Sequence, residues 1–298
     1  MAPELRHLRY LLAVAEHGGF TRAAEELRVS QPTLSQQIKQ LERMVGAQLL
    51  DRTGRTVRLT DAGETYAHHA RRALRDLAAA ERAVLDVADL SRGHLRLAIT
   101  PTFTAYLVGP LTAELHSRHP GITLEVRELT QDRIEAALLA DQLDLGIAFD
   151  GVHLPGIEAS ALFTETLGLV AAAGGPARAL SVHDLTIHHL ALLTGDFATR
   201  GHIDDFLAAH RVRPRIAVEA NSVQALTEIV RRTALVTVLP DAVTDDHPHL
   251  VRVPLDPPLP PRTVVLLRRE SAYHPAAARA FTRLAENLAR SRGYPPAP

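Results

Sequence analysis

Between residues 31 and 43 an ordered set of hydrogen-bonding side chains, Gln31, Thr33, Ser35 and Gln36, gives way to the cations Lys39 and Arg43, with Gln40 between them. At about 100° per residue, Pro32, Thr33, Gln36, Lys39, Gln40 and Arg43 share one face of a helix. Leu34, Ile38, Leu41 and Val45, spaced 4, 3 and 4, share the opposite face. Amides and hydroxyls near a helix start can read base edges, and cations further along can hold phosphates. Arg52, Arg55 and Arg58 follow at once, in a segment with Gly54 at its centre. An arginine on such a tip suits a narrow, negative minor groove.

Two loops offer a different chemistry. Thr100-Pro101-Thr102-Phe103-Thr104 and Gly195-Asp196-Phe197-Ala198-Thr199-Arg200 each follow an apolar run and precede helical spacing. Threonine hydroxyls beside free helix N–H groups suit a small anion, with Phe149, at the end of its own apolar run, as a cleft wall. Arg200 reads as a surface residue rather than an anion clamp. Threonines also commonly cap helices, and Phe103 and Phe197 also suit a core. Catalytic chemistry finds no such foothold. The 16 histidines include the pairs 68–69, 116 and 119, 188–189, and 247 and 249, but no H-E-x-x-H. Neighbouring histidines on a helix diverge, so no metal site is expected. There is no phosphate-binding G-x-x-x-x-G-K loop, no G-x-S-x-G elbow and no cysteine. An enzyme or a small-molecule-binding protein of another kind remains the competing class, without a motif to support it.

The elements that must position these groups follow from periodicity. Residues 21–45 read as helix, three-residue turn and helix. Thr21 is the expected cap of the first, Arg28-Val29-Ser30 the turn, Ser30 the cap of the second, and Pro32 falls where its missing N–H costs nothing. Residues 49–59 read as a hairpin with Val57 and Leu59 inward. Asp61 is the expected cap of a long helix with Glu64 completing a capping box, and Ser91-Arg92-Gly93 stops it. Within that helix Tyr66, Ala70, Ala73, Leu77, Ala80, Val84 and Val87 form a heptad seam; a single amphipathic helix lying on its own domain would show the same pattern. Strands are then expected at 94–100, 123–129, 144–149, 190–193, 215–220, 235–239 and 264–267. Helices are expected at 106–119, 133–141, 206–210, 223–232 and 275–290. This alternation predicts an α/β fold with mainly parallel sheets. Residues 151–156 and the prolines 257, 258, 260 and 261 mark connections and candidate crossings between lobes, and 294–298 reads as a tail without fixed structure.

The 298 residues suffice for more than one core, and 46% hydrophobic with 22% charged residues is ordinary for a globular chain. No apolar run approaches membrane length, and the N-terminal residues lack the pattern of a secretory signal, so a cytoplasmic protein is expected. Net charge is −1, yet residues 31–60 hold five cations against Glu42 and Asp51. A polyanion should therefore meet this end.

The runs Gly18-Gly19-Phe20-Thr21-Arg22-Ala23-Ala24, Val29-Ser30-Gln31-Pro32-Thr33-Leu34-Ser35-Gln36-Gln37-Ile38 and Leu59-Thr60-Asp61-Ala62-Gly63 closely resemble the LysR-type transcriptional regulators. The resemblance implies a winged helix-turn-helix at 1–60, a dimerising linker helix at 61–92 and a two-lobed α/β effector domain at 93–298, similar to periplasmic binding proteins. It places Gln31, Pro32, Thr33, Ser35 and Gln36 in the major groove of an operator and Arg55 in the minor groove, with Lys39 and Arg52 beside them. It also implies dimers or tetramers, contact with RNA polymerase, no cofactor, and an effector between the lobes near Thr100, Thr102, Phe103, Phe149, Phe197 and Thr199. Residues 97–104, 144–149, 197–200, 219–222 and 231–235 look like those of cyanate-responsive members. That implies a small linear anion, which hydroxyls and helix N-termini could hold without a buried arginine. Most of the family has a glycine just before the strand ending at Leu239. Here Arg232-Thr233-Ala234-Leu235 stands instead, so the turn must be made differently.

Overall fold

The computed structural model describes residues 3–54, 56–86, 93–175, 178–245, 247–270 and 272–297, and the chain divides into compact units at Met1–Leu85 and Asp86–Pro298.

The first unit packs α1 (Leu5–His17), α2 (Phe20–Glu26) and α3 (Gln31–Val45) around Leu11, Val14, Ala23, Ala24, Leu34, Ile38, Leu41, Leu49 and Leu50. The 4, 3 spacing of α3 accounts for its buried stripe. Ser30 caps α3 through an Oγ that accepts from the Thr33 N–H at 3.2 Å. The cap of α2 is Gly19 rather than Thr21, which is exposed, because the helix begins at Phe20. Buried His7 joins α1 to α3: its Nδ1 accepts from the Glu4 N–H at 2.9 Å and its Nε2 lies 3.0 Å from Gln37 Oε1.

A short antiparallel hairpin, β1 (Leu50–Asp51) with β2 (Arg58–Leu59), follows. Val57 and Leu59 pack on the core and Arg58 is exposed. The wing is fixed at both ends. Glu42 Oε1 accepts from the N–H groups of Leu49 and Leu50 at 3.0 and 3.2 Å, and the Val57 N–H donates to the Gly18 carbonyl at 2.9 Å. Gly18 has φ +60°, a conformation that favours glycine. The long helix α4 (Asp61–Asp86) starts one residue after its cap: the Thr60 hydroxyl, not Asp61, accepts from the Gly63 N–H at 3.0 Å. Gly63 is there because a Cβ would lie 2.0 Å from the Leu49 carbonyl oxygen.

The second unit has two lobes. In the first, a five-stranded sheet runs β4–β3–β5–β14–β6, with β3 (Gly93–Ile99), β4 (Ile122–Glu128), β5 (Leu145–Phe149), β6 (Ile157–Glu165) and β14 (Arg262–Arg269). Helices α5 (Val108–Arg118), α6 (Gln131–Leu139) and α10 (Ala276–Ser291) pack against it. The other lobe holds three small sheets built from β7 (Leu167–Ala172), β8 (Leu180–Ser181), β9 (His189–Leu193), β10 (Arg215–Ala220), β11 (Thr237–Pro240), β12 (Leu250–Val253) and β13 (Leu255–Asp256). It also carries α7 (Ala198–Ala209), α8 (Val223–Arg232) and α9 (Asp241–Asp245).

The α/β class holds, but the sheets are mixed. Strands β4, β3 and β5 are parallel, as are the β9–β10 and β8–β13 pairs, whereas β14 lies antiparallel to β5 and β6, and β7 to β11 and β12. Residues 151–156 stay within the first lobe, joining β5 to β6. The chain leaves that lobe at Thr166, between β6 and β7, and returns through the proline-rich 257–261 segment. The glycine-free turn after α8 is closed by Thr233, whose hydroxyl donates to the Ile229 carbonyl and accepts from the Leu235 N–H. The expected loose tail is instead pinned to β6. Thr164 donates to the carbonyls of Pro295 and Pro296 at 2.8 and 3.0 Å, and the Tyr294 ring lies 4.7 Å from that of Phe163.

Candidate functional sites

On α3 the side chains of Gln31, Pro32, Thr33, Gln36, Lys39 and Arg43 are exposed, and Ser35 is half-buried. The Thr33 hydroxyl is engaged with the cap, 2.7 Å from Ser30 Oγ. Lys39, Arg43 and Arg52 line one shallow depression with Gln48, which gathers cations at the end of the helix away from the uncharged groups. Arg52 also donates to Glu42 Oε2 at 2.8 Å and lies 5.6 Å above the Phe20 ring, so its guanidinium is oriented before any partner arrives. Arg55 lies outside the described residues.

The seam expected along α4 divides. Ala70 is buried and Tyr66 packs on the core of its own unit, while Ala73 and Ala80 are exposed and Leu77 half-buried. The side chain of Val84, and Val87 altogether, lie outside the described residues.

In the second unit, the ends of β3, β5 and β9 and the starts of α6 and α7 surround a cavity of about 340 Å³. Its lining includes Thr100, Thr102, Phe149, Phe197 and Thr199, five of the six residues proposed from the sequence, together with Asp132 and Asp196. The sixth, Phe103, is buried behind the wall, with its ring 4.9 Å from Phe149. Residues 101–105 form a short 3₁₀ turn rather than the start of α5, so this loop carries no long helix N-terminus. That role falls to α7, whose first turn holds no acidic residue and whose cap position, Phe197, has no capping side chain. The N–H groups of Ala198 and Thr199 at its start have no intrahelical acceptor, whereas that of Arg200 donates to the Phe197 carbonyl at 2.9 Å. Thr100 is 5% exposed, and its Oγ1 is buried without a hydrogen-bond partner. A buried polar group left unpaired in a native fold calls for a reason.

A buried arginine does stand at this site, one layer behind the cavity wall. The Arg262 guanidinium sits 3.6 Å above the Phe149 ring and donates to Thr199 Oγ1 at 2.9 Å and to Glu165 Oε2 at 2.6 Å. Glu165 also accepts from the Tyr106 hydroxyl. Burial and the adjacent carboxylate push the Tyr106 phenol well above its usual pKa, so it stays a donor. This network ties β14 and β6 of one lobe to α7 of the other. Only the isolated charge of Arg262 at the head of an apolar strand hinted at it. Arg200 is held by Asp204 at 2.9 Å, Glu219 at 2.5 Å and the Leu193 carbonyl at 2.8 Å, which leaves it no role as an anion clamp. Among the described residues, no three potential metal-binding side chains come together, and no helix is long and apolar enough to cross a membrane.

Two family patterns match: the bacterial regulatory helix-turn-helix protein of the lysR family over residues 5–64, and the LysR substrate binding domain over 88–290. The nitrogen assimilation regulatory protein nac of Escherichia coli is 30% identical over 238 residues, 80% of this chain and 78% of its own length. A full-length OxyR variant from Pseudomonas aeruginosa superposes with a TM-score of 0.71 at 25% identity, covering 96% of this chain and 95% of that one. Full-length CbnR, solved in complex with its target DNA, shares the fold with a TM-score of 0.57 at 24% identity, covering 96% and 99%.

Proposed function

The chain belongs to the LysR family of DNA-binding transcriptional regulators with an effector-binding domain, and from that premise we propose how this member reads DNA and what controls it. Gln31, Pro32, Thr33, Ser35 and Gln36 enter the major groove, Lys39 and Arg52 hold phosphates, and Arg55 reaches the minor groove. The division of labour follows the boundaries 1–60, 61–92 and 93–298. Two chains pair through the open part of α4, Ala73, Leu77 and Ala80 onward, so that protein symmetry meets paired half-sites; dimers pair further into tetramers. The protein works in the cytoplasm, where RNA polymerase meets the same promoter.

The effector occupies the cavity beyond β3, β5 and β9, as ligands of open α/β sheets do. The observation that carries this reading is the convergence of the unpartnered Thr100 hydroxyl, the uncapped start of α7 and the Phe149 and Phe197 walls on one cavity. Cyanate would meet hydroxyls and N–H groups there but fill little of about 340 Å³. A small organic molecule with an acidic end and an apolar body fits the walls better. Binding then favours one lobe arrangement over another by the ligand's differential affinity for the two.

A footprint on DNA upstream of the chain's own gene, at fixed salt, tests both parts. The expected result is a protected site whose extent changes with an organic acid and responds less to cyanate. Protection indifferent to every small molecule tried would remove the effector assignment; absence of protection there and at neighbouring promoters would remove the operator.

A further inference from the structure

We infer that the molecule taken by this cavity is a zwitterion of amino-acid type with an apolar side chain, an inference that rests on the cavity being the effector site. The lining holds two carboxylates, Asp132 and Asp196, and no cationic side chain. Of the cations nearby, Arg262 is balanced by Glu165 and Arg200 by Asp204 and Glu219, and Arg133, beside Asp132, is exposed and outside the lining. A bare anion would therefore meet hydroxyls and one helix start, against two negative charges.

The two helix starts are not equivalent. At α6, Asp132 stands in the first turn, where hydrogen bonds from Thr130 and the local backbone hold its carboxyl below the usual range; that end is already supplied with a negative charge. At α7 the first turn carries none, and the N–H groups of Ala198 and Thr199 remain for an incoming carboxylate, that of Arg200 being taken by the Phe197 carbonyl. Asp196, one residue before the α7 cap, is oriented by the Thr194 hydroxyl at 2.5 Å. An α-amino acid presents both charges from one carbon. Its carboxylate meets the α7 start and Thr100, its ammonium meets Asp196 and Asp132, and its side chain lies between Phe149, Phe197 and Pro101.

The test is calorimetry on the full chain with matched probes: phenylalanine, 3-phenylpropionate and 2-phenylethylamine, then leucine, 4-methylpentanoate and isopentylamine, with cyanate alongside. At least one amino acid should bind about tenfold or more tighter than both of its truncated partners. Asp196→Asn and Asp132→Asn, checked for unchanged folding by circular dichroism, should weaken the amino acid and leave or improve the carboxylate. If a carboxylate or cyanate binds as tightly as the amino acid, and Phe149→Ala abolishes that binding, the cavity stands and the zwitterion falls. If no probe binds, both fall.

Discussion

Replacing Arg262 by methionine probes the network that joins the lobes. Arg262 and Glu165 have side chains only 9% and 3% exposed, with their closest atoms 2.5 Å apart. Their attraction is largely offset by the cost of removing both charges from water, so the intact pair adds little net stability. Breaking it is another matter. Arg262→Met leaves Glu165 buried with only the Tyr106 hydroxyl, and takes from Thr199 its guanidinium donor. Removing one member of such a pair costs about 3–5 kcal/mol. With an m-value of about 3 kcal/mol/M, the urea midpoint of the second unit should fall by about 1–1.7 M. Glu165→Gln keeps an acceptor for Tyr106, so Arg262→Met/Glu165→Gln should recover most of that loss. Circular dichroism melts of the four proteins close the cycle, provided each shows a single transition for this unit. A loss below about 1 kcal/mol for Arg262→Met, or a double variant as weak as the two single losses summed, would refute the argument.

Gly63→Ala should lower the melting temperature of the first unit and weaken DNA binding, because its Cβ would meet the Leu49 carbonyl at 2.0 Å; a wild-type melt would contradict that packing. His274 is half-buried, and burial and Arg268 lower its pKa, so the unfolded chain binds the proton more readily. Its contribution to stability is present above about pH 6.5 and lost as pH falls toward the lower folded value. His274→Gln should therefore shrink the loss of thermal stability between about pH 7.5 and 5.5, and an unchanged loss would exclude that role. Lys39→Ala should weaken all DNA sequences alike and reduce the salt slope by about one unit, while Gln36→Ala should blur sequence preference at one position. Titrations at several salt concentrations separate the two, and a common phenotype would sink the assignment.

What could be read in advance was what local pattern encodes. The 4, 3 spacing of Leu34, Ile38 and Leu41 specifies the buried stripe of α3, and alternation specifies Val57 and Leu59 inward. Thr100 and Phe149 are legible as cavity-lining residues because strand ends are where open sheets leave room, and Thr199 because it opens the helix that follows such an end. Thr60 and Asp61 are both good capping residues, and Thr60 takes the cap of α4 because it is anchored to the Gln48 and Leu49 carbonyls, contacts that local spacing does not show. Strand β6 carries Ala159, Ser160 and Ala161 with little alternation, and β7 is an almost continuous apolar run ending in Ala171 and Ala172, so neither shows the two-residue period. The tail gave no sign that Tyr294 would stack on Phe163. The Tyr106, Glu165, Thr199 and Arg262 network joins four residues distant in sequence, and no local spacing could show them meeting.

If a molecule in the inter-lobe cavity controls the DNA-binding end, occupancy of the cavity and bending of the operator must rise together. The chain has no tryptophan, so Phe197→Trp places a single tryptophan, excited selectively over the tyrosines, in the cavity wall. Titrating this variant on an end-labelled operator reads cavity occupancy from the tryptophan and DNA bending from the labels in one sample. Both signals should change with the same midpoint, and Ala198→Trp, which fills the cavity, should abolish the bending response. A bend that follows the ligand while the tryptophan signal stays flat, or persists undiminished with the cavity filled, would contradict that control.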